Sequence, residues 1–366
     1  MCIRDRDQNA VFGVAAPAAS AVEEVAGGWL KELFGLPSDA SFAFTTGCQM
    51  AHVTTLAAAR HAVLEREGWD VGANGLAGSP PLTVVAGAAR HATLDRALRL
   101  IGIGQAQIEV VPADDQGRID TGALAAALDR VRGAAIVCAQ AGEVNTGAVD
   151  ALGEVADLAA ARDAWLHVDG AFGMWAAASP QRQHLVEGLG RADSWATDAH
   201  KWLNVPYDSG LAFCAHPAAH RAAMTSGAAY FTEAGAWERD AFDWTPDSSR
   251  RARGFTVYAA LRSLGRSGVA DLIERSCARA QQFAAGIAEL PGCEVLNDVV
   301  LNQVLFRFAE DATTTAALAA VQASGEAWMS GTEWDGRRAI RLSVSSWRTT
   351  ERDIDRAVAA FAAALV

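Results

Sequence analysis

Between Leu82 and Cys214 short apolar runs alternate with amphipathic stretches, and this alternation constrains the fold more than any other feature of the chain. Residues 82–86, 107–111, 134–139, 165–168, 194–197 and 211–214 form brief, almost wholly apolar segments, the pattern of strands buried on both faces. Helical spacing runs over 93–101, 121–132 and 152–162 between the first four of them. Strands that alternate with helices demand a mostly parallel sheet covered by helices on both faces. Ligands of such sheets sit beyond the carboxyl ends of the strands, so residues at those ends are the first to inspect.

Upstream, Val22, Val25, Trp29, Leu30 and Leu33 recur at helical spacing over 20–36, and Gly35 stops the run. A short apolar segment at 41–44 leads through Thr45-Thr46-Gly47 into an Ala-rich helix that reaches about Glu67. Residues 68–81 read as a Gly/Pro/Asn loop. Downstream the texture changes. Residues 255–290 read as one or two long helices, 294–296, 304–308 and 340–345 as strands, and 351–365 as a closing helix. The expected division is a residual segment over 1–19, a large α/β domain over 20–250 and a smaller α+β domain over 251–366. Met1 to Arg6 has neither period nor cap signal and reads as a leftover piece.

Composition removes several function classes. With 43 acidic against 31 basic side chains the net charge is −12, which disfavours nucleic-acid and anionic-membrane partners. No apolar stretch approaches the length of a membrane span, and no signal-peptide pattern opens the chain. The six cysteines lack paired C-x-x-C spacing, so no structural metal site or disulfide scaffold is expected; reduced thiols in a cytoplasmic protein are. Gly102-Ile103-Gly104 begins like a dinucleotide fingerprint, but Gln107 stands where the third Gly belongs, and the segment follows a helix.

Two segments carry chemistry. Asp198-Ala199-His200-Lys201-Trp202 follows the strand at 194–197. A lysine between His and Trp is either a strand-end residue whose head reaches solvent or an amine whose pKa is lowered by desolvation, a nucleophile toward carbonyls. Trp165-Leu166-His167-Val168-Asp169-Gly170-Ala171 puts a carboxylate at the end of a buried strand, where it is either a helix cap or the partner of a cation such as a protonated pyridine nitrogen. One strand–helix–strand excursion separates Asp169 from Lys201, which places both at one end of the sheet.

The pair His-Val-Asp-Gly-Ala and Asp-Ala-His-Lys-Trp resembles the pyridoxal-phosphate-dependent group II amino-acid decarboxylases, from about Ser20 to the carboxyl terminus. The resemblance implies a fold-type-I, aspartate-aminotransferase-like enzyme that binds pyridoxal 5'-phosphate, works as a homodimer and releases carbon dioxide from an amino acid through a Schiff base on Lys201. It implies that the Asp169 charge keeps the ring nitrogen protonated and that His91, in Arg90-His91-Ala92-Thr93, stacks on the ring. Thr45-Thr46-Gly47-Cys48-Gln49-Met50-Ala51-His52 resembles the family's phosphate loop, so Gly47, Cys48 and Gln49 would meet the phosphate at a helix amino terminus. Ala171, His200 and Val144, the last standing where the family has Thr, would complete the cofactor contacts. Arg341 on the strand at 340–345 would grip the substrate carboxylate, or stand as an exposed strand arginine. The run Ser249-Arg250-Arg251-Ala252-Arg253 reads as a solvated structural cluster.

Against the family pattern the chain reads as truncated at its amino terminus, and the segment 231–243 is short and has no Tyr, which leaves Tyr230 as the expected proton donor. The expected reaction is decarboxylation. Transamination, aldol cleavage or β-elimination on the same scaffold, or a catalytically impaired binding paralogue, are the alternatives, because the bond that stands perpendicular to the ring decides the outcome.

Overall fold

A computed structural model describes residues 9–225 and 239–365. Its larger sheet contains β1 (Ser41–Thr45), β2 (Leu82–Gly87), β3 (Ile108–Val111), β4 (Ala134–Gln140), β5 (Trp165–Asp169), β6 (Ser194–Asp198) and β7 (Gly210–Cys214) in the order β1-β7-β6-β5-β4-β2-β3. β6, β5, β4, β2 and β3 pair in parallel, and β7 runs antiparallel between β1 and β6. The helices of this part are α1 (Pro17–Phe34), α2 (Cys48–Arg66), α3 (Val71–Asn74), α4 (Ala92–Leu100), α5 (Thr121–Arg130), α6 (Leu152–Ala160) and α7 (Pro217–Met224). α3 lies inside the stretch expected to be loop, capped by Asp70, whose side chain accepts from the Ala73 amide.

Alternation along the strands sorts the two faces. Leu166 and Val168 of β5 join the core shared with α1, α5 and α6, while Trp165 joins the core beneath α2 and α4. Hence Trp165, His167 and Asp169 all point toward α2. α2 itself is buried around most of its circumference, which explains an Ala-rich sequence with no clear apolar stripe.

The expected 255–290 stretch is α8 (Gly254–Ala288), two helical segments joined where Gly265 takes φ 62°, a conformation that favours glycine. Beyond it come β8 (Cys293–Val295), β9 (Gln303–Phe308), α9 (Asp311–Ser324), β10 (Ser330–Trp334), β11 (Arg337–Ser343) and α10 (Glu351–Ala364). The four strands form an antiparallel sheet ordered β10-β11-β9-β8 over its own core, which includes Phe283, Phe306, Phe308 and Phe361. β10 is missing from the sequence reading because Ser-Gly-Thr-Glu-Trp is an edge strand with no apolar run.

The run around Arg250 is solvated only at Ser249 and Arg251. Arg250 is fully buried and bonds Glu23 at 2.8 Å, with further donations to the carbonyls of Ala10 and Phe44. Arg253 is also buried and meets Asp208 at 2.8 Å. A buried guanidinium needs this complement of acceptors, and they come from remote segments that a local charge count does not register.

Candidate active site

β5 and β6 lie side by side and parallel, with Asp169 opposite Ala196 in the register. Asp169 therefore ends one strand beside the end of the next, from which the chain continues through Asp198 to Lys201. β1 delivers Gly47 to the same edge, since Thr45 pairs with Gly210 of β7. Gly210 has no room for a side chain: a Cβ there would stand 2.3 Å from the Gly47 carbonyl carbon. All nine residues expected around the cofactor, Gly47, Cys48, Gln49, His91, Val144, Asp169, Ala171, His200 and Lys201, line one cavity of about 230 Å³. Gln140, Phe172 and Asp198 line it too. An adjoining cavity of about 210 Å³ shares Val144, Phe172 and Lys201 and adds Trp202, Asn302, Gln303 and Arg341. Lys201 thus stands where the two meet. A roomier groove of about 310 Å³ between α1 and α8, beside Gly265, lies among Trp29, Leu33, Leu261 and Val269, away from these groups.

Asp198, absent from the sequence expectations, organises the lysine end. Its Oδ1 accepts from the Cys48 amide at 2.6 Å and lies 3.3 Å from His200 Nε2. Its Oδ2 is 3.1 Å from Lys201 Nζ. The Ser209 amide donates to His200 Nδ1 at 3.1 Å, which leaves Nε2 to carry the proton facing Asp198. The His200 ring stacks on Tyr207 at 4.1 Å. Burial pulls the Lys201 amine down, but the Asp198 carboxylate first, and Asp169 after it, outweigh it, so the net direction is up. The lysine is therefore held as an ammonium. The reason is the adjacent carboxylates, which spacing alone did not reveal.

Asp169 is the most enclosed charge of the site. Burial alone would raise its carboxyl, yet the His52 imidazole, its hydrogen bond and the Lys201 ammonium hold it well below the usual carboxylate range. His52 Nε2 lies 3.3 Å from Oδ2, and the Ala171 amide donates to Oδ1 at 3.1 Å. The Cys48 thiol faces Oδ1 at 3.8 Å, and its pKa is pushed far up, by burial first and by Asp169 and Asp198 after it. Cys48, His52 and Asp169 bring a thiol, an imidazole and a carboxylate within 4.8 Å, a grouping the sequence reading did not foresee.

His91 caps α4, its Nδ1 accepting from the Thr93 amide, and its ring lines the cavity. Burial lowers its pKa. Gln49 Nε2 donates to the Thr93 carbonyl at 3.2 Å, while its Oε1 is buried without a partner. The Val144 carbonyl accepts from Arg341 Nη1 at 2.9 Å, and Ser330 Oγ accepts from Arg341 Nε and Nη2 at 3.3 and 3.2 Å. Tyr230 and residues 231–238 fall outside the described residues.

These groups fit pyridoxal phosphate. A buried carboxylate with no arginine or lysine in direct contact among the described residues suits a pyridinium nitrogen, and a lysine in the same cavity suits an aldehyde. The amino end of a long helix suits a phosphate, with Gly47 there because a Cβ would come 3.3 Å from His200. Fold and site together define a pyridoxal phosphate enzyme of the fold-type-I class. The family described as the pyridoxal-dependent decarboxylase conserved domain matches residues 6–309. The chain belongs to that family. It is 30% identical to the aromatic-L-amino-acid decarboxylase of Bacillus atrophaeus, with 93% of this chain and 72% of that protein aligned. It is 31% identical to the L-2,4-diaminobutyrate decarboxylase of Rhizobium meliloti, over 93% and 69%. The crystal structure of Oryza sativa TDC with PLP and tryptamine superposes with a TM-score of 0.91 at 26% identity, covering 98% of this chain and 78% of that one.

Proposed function

We propose that the chain decarboxylates an amino acid to an amine and carbon dioxide, using the cavity at the ends of β5 and β6. The observation that carries this reading is the meeting of Asp169 and Lys201 in that single cavity. Pyridoxal phosphate, when bound, supplies an electron-poor ring that accepts the electron pair left as carbon dioxide departs. Asp169 would hold a proton on the ring nitrogen. Gly47, Cys48, Gln49 and His200 would hold the phosphate, and His91, Val144 and Ala171 would border the ring. Lys201 would tether the cofactor, and Asp198 Oδ2, 3.1 Å from Nζ, would hold the lysine end in place. The larger part, 20–250, would carry the cofactor, and the smaller, 251–366, would bring Arg341 to the substrate. Arg341 spends part of its fork on Val144 and Ser330 and keeps the rest for a carboxylate.

After carbon dioxide leaves, a proton must reach the substrate carbon. Tyr230 is the proposed donor, with His91 and water as the less selective route. The test is to load the purified protein with pyridoxal phosphate, offer a panel of amino acids, and quantify amine, carbonyl product and carbon dioxide in parallel. Amine matching carbon dioxide supports the reading, whereas keto acid without carbon dioxide overturns it. Tyr230→Phe should raise the carbonyl share, and an unchanged ratio removes Tyr230 from the mechanism. A homodimer completes the proposal on the strength of the family resemblance, and light scattering checks it. A cytoplasmic setting agrees with Cys48, Cys138, Cys214, Cys277 and Cys293, all free thiols. Among the described residues no helix is long and apolar enough to cross a membrane.

A further inference from the structure

A polar chain runs through a core that is otherwise apolar. Trp165, His167 and Asp169 share one face of β5 by strand alternation, and Cys48 and His52 share one face of α2 by helical spacing. Trp165 Nε1 donates to Ser194 Oγ at 2.9 Å, and Ser194 Oγ meets His167 Nδ1 at 2.9 Å. His167 Nε2 meets His52 Nδ1 at 2.9 Å, and His52 Nε2 lies 3.3 Å from Asp169 Oδ2 and 3.4 Å from Cys48 Sγ. Trp165, His52, His167 and Ser194 are all fully buried. Two completely enclosed imidazoles in series are a costly way to pack a helix on a sheet, where apolar side chains would serve.

We propose that His52, itself oriented by His167, is a positioning residue that donates from Nε2 to Asp169 and thereby fixes that carboxylate, ionised, toward the cofactor's ring nitrogen. This rests on the reading that Asp169 meets that nitrogen. The direction of the last bond follows from the partners. An ionised carboxylate only accepts, so His52 Nε2 carries the proton. His52 Nδ1 is engaged by His167, so the ring is held at both nitrogens and cannot rotate without losing both contacts. Burial, followed by the neighbouring His52, pushes the His167 imidazole down to about 3, which suits a neutral anchor. The other titratable groups facing Asp169 are Cys48 on α2, His91 at the start of α4, Cys138 on β4 and Lys201 after β6, and none of them reaches Oδ2 with a hydrogen bond among the described residues.

Glutamine and asparagine separate the two halves of His52, because Gln Nε2 reproduces the ring Nε2 and Asn Nδ2 reproduces Nδ1. The experiment measures the dissociation constants of pyridoxal phosphate, and of its analogue with a C–H in place of the ring nitrogen, for wild type, His52→Gln, His52→Asn and His52→Leu. Melting temperatures confirm that each is folded. The expected result is about a tenfold or greater weakening of pyridoxal phosphate binding in His52→Leu and His52→Asn, the scale of one lost charge-assisted hydrogen bond. Binding in His52→Gln should stay within about threefold of wild type, and the analogue should lose less than about threefold in every variant, because it has no ring nitrogen for Asp169 to meet. Equal losses for both ligands, or equal losses in His52→Gln and His52→Asn, would show a purely structural role and overturn the inference. Should His52→Leu not fold, the Gln and Asn pair decides alone. Wild-type protein that binds neither ligand would overturn the cofactor-site reading itself, an outcome distinct from failure of the histidine chain.

Discussion

The two walls of the cleft are built on opposite principles. On the β5 side, Asp169 is enclosed and met by an imidazole, a thiol and a backbone amide, each with further partners behind it. On the β11 side, Arg341 is half-buried and held by one carbonyl and one hydroxyl across the junction with the smaller sheet. A buried charge must have fixed partners, so the first wall cannot be altered one residue at a time without leaving a group unpaired. The second wall can. The difference teaches where variation is permitted: a change on the β5 wall strands a buried partner, whereas a change at half-buried Arg341 leaves only a carbonyl and a hydroxyl near the surface to find new partners.

The largest effect should come from Lys201→Ala. Borohydride treatment of cofactor-loaded wild type should leave a covalent adduct on Lys201 detectable by mass spectrometry, and the variant should show none and lose turnover entirely. An adduct elsewhere with activity retained would move the centre of the site. Next, Asp169→Asn should cost roughly a hundredfold or more in kcat, the scale of a removed electrostatic stabiliser. Near-normal kcat would reduce Asp169 to a structural acceptor and erase the contrast between the walls.

A smaller effect belongs to acid stability. His167 titrates near 6.5 when unfolded and at about 3 when folded. Between those values the unfolded chain takes up a proton that the folded chain refuses, so stability falls as the pH drops below 6.5. At pH 5 this loss amounts to about 2 kcal/mol relative to pH 7, and denaturant titrations of His167→Gln should lack that part of the slope. An identical slope in wild type and variant would mean that the imidazole is not held neutral. The smallest effect is expected across the cleft, where Arg341→Gln should raise KM about tenfold with a lesser change in kcat, as for one lost bidentate contact. A hundredfold fall in kcat instead would place Arg341 among the groups that act on the reacting bond.

Much of this was legible in the chain. The alternation of apolar runs and helices gives the sheet, and two short motifs locate Asp169 and Lys201 because strand ends and their following turns are local in sequence. Pairings over long separations were not legible. His52 and His167 lie on a helix and a strand more than a hundred residues apart, and the signal available, a His four residues after Cys48 and another two before Asp169, has meaning only once β5 is known to lie beneath α2. Asp198 looked like the first letter of a lysine motif, yet it touches the amide of Cys48. Arg250 looked like part of a solvated charge run because its partner, Glu23, belongs to α1. β10 left no trace because edge strands need no apolar run.

The position of β1 at the rim of the larger sheet has a consequence in time. Its strand neighbour is β7, and Thr45, just before the helix that would receive the phosphate, pairs with Gly210. A nascent chain that has emerged from the ribosome as far as Asp198 therefore contains nearly the whole sheet but not the strand that pins β1 to it. Until β7 emerges, β1 has no strand neighbour, and the amino end of α2 is held to the sheet by the contacts of Cys48 and His52 with β5 and β6. A nascent chain from which β7 has not yet emerged should therefore hold the cofactor less firmly than the finished chain.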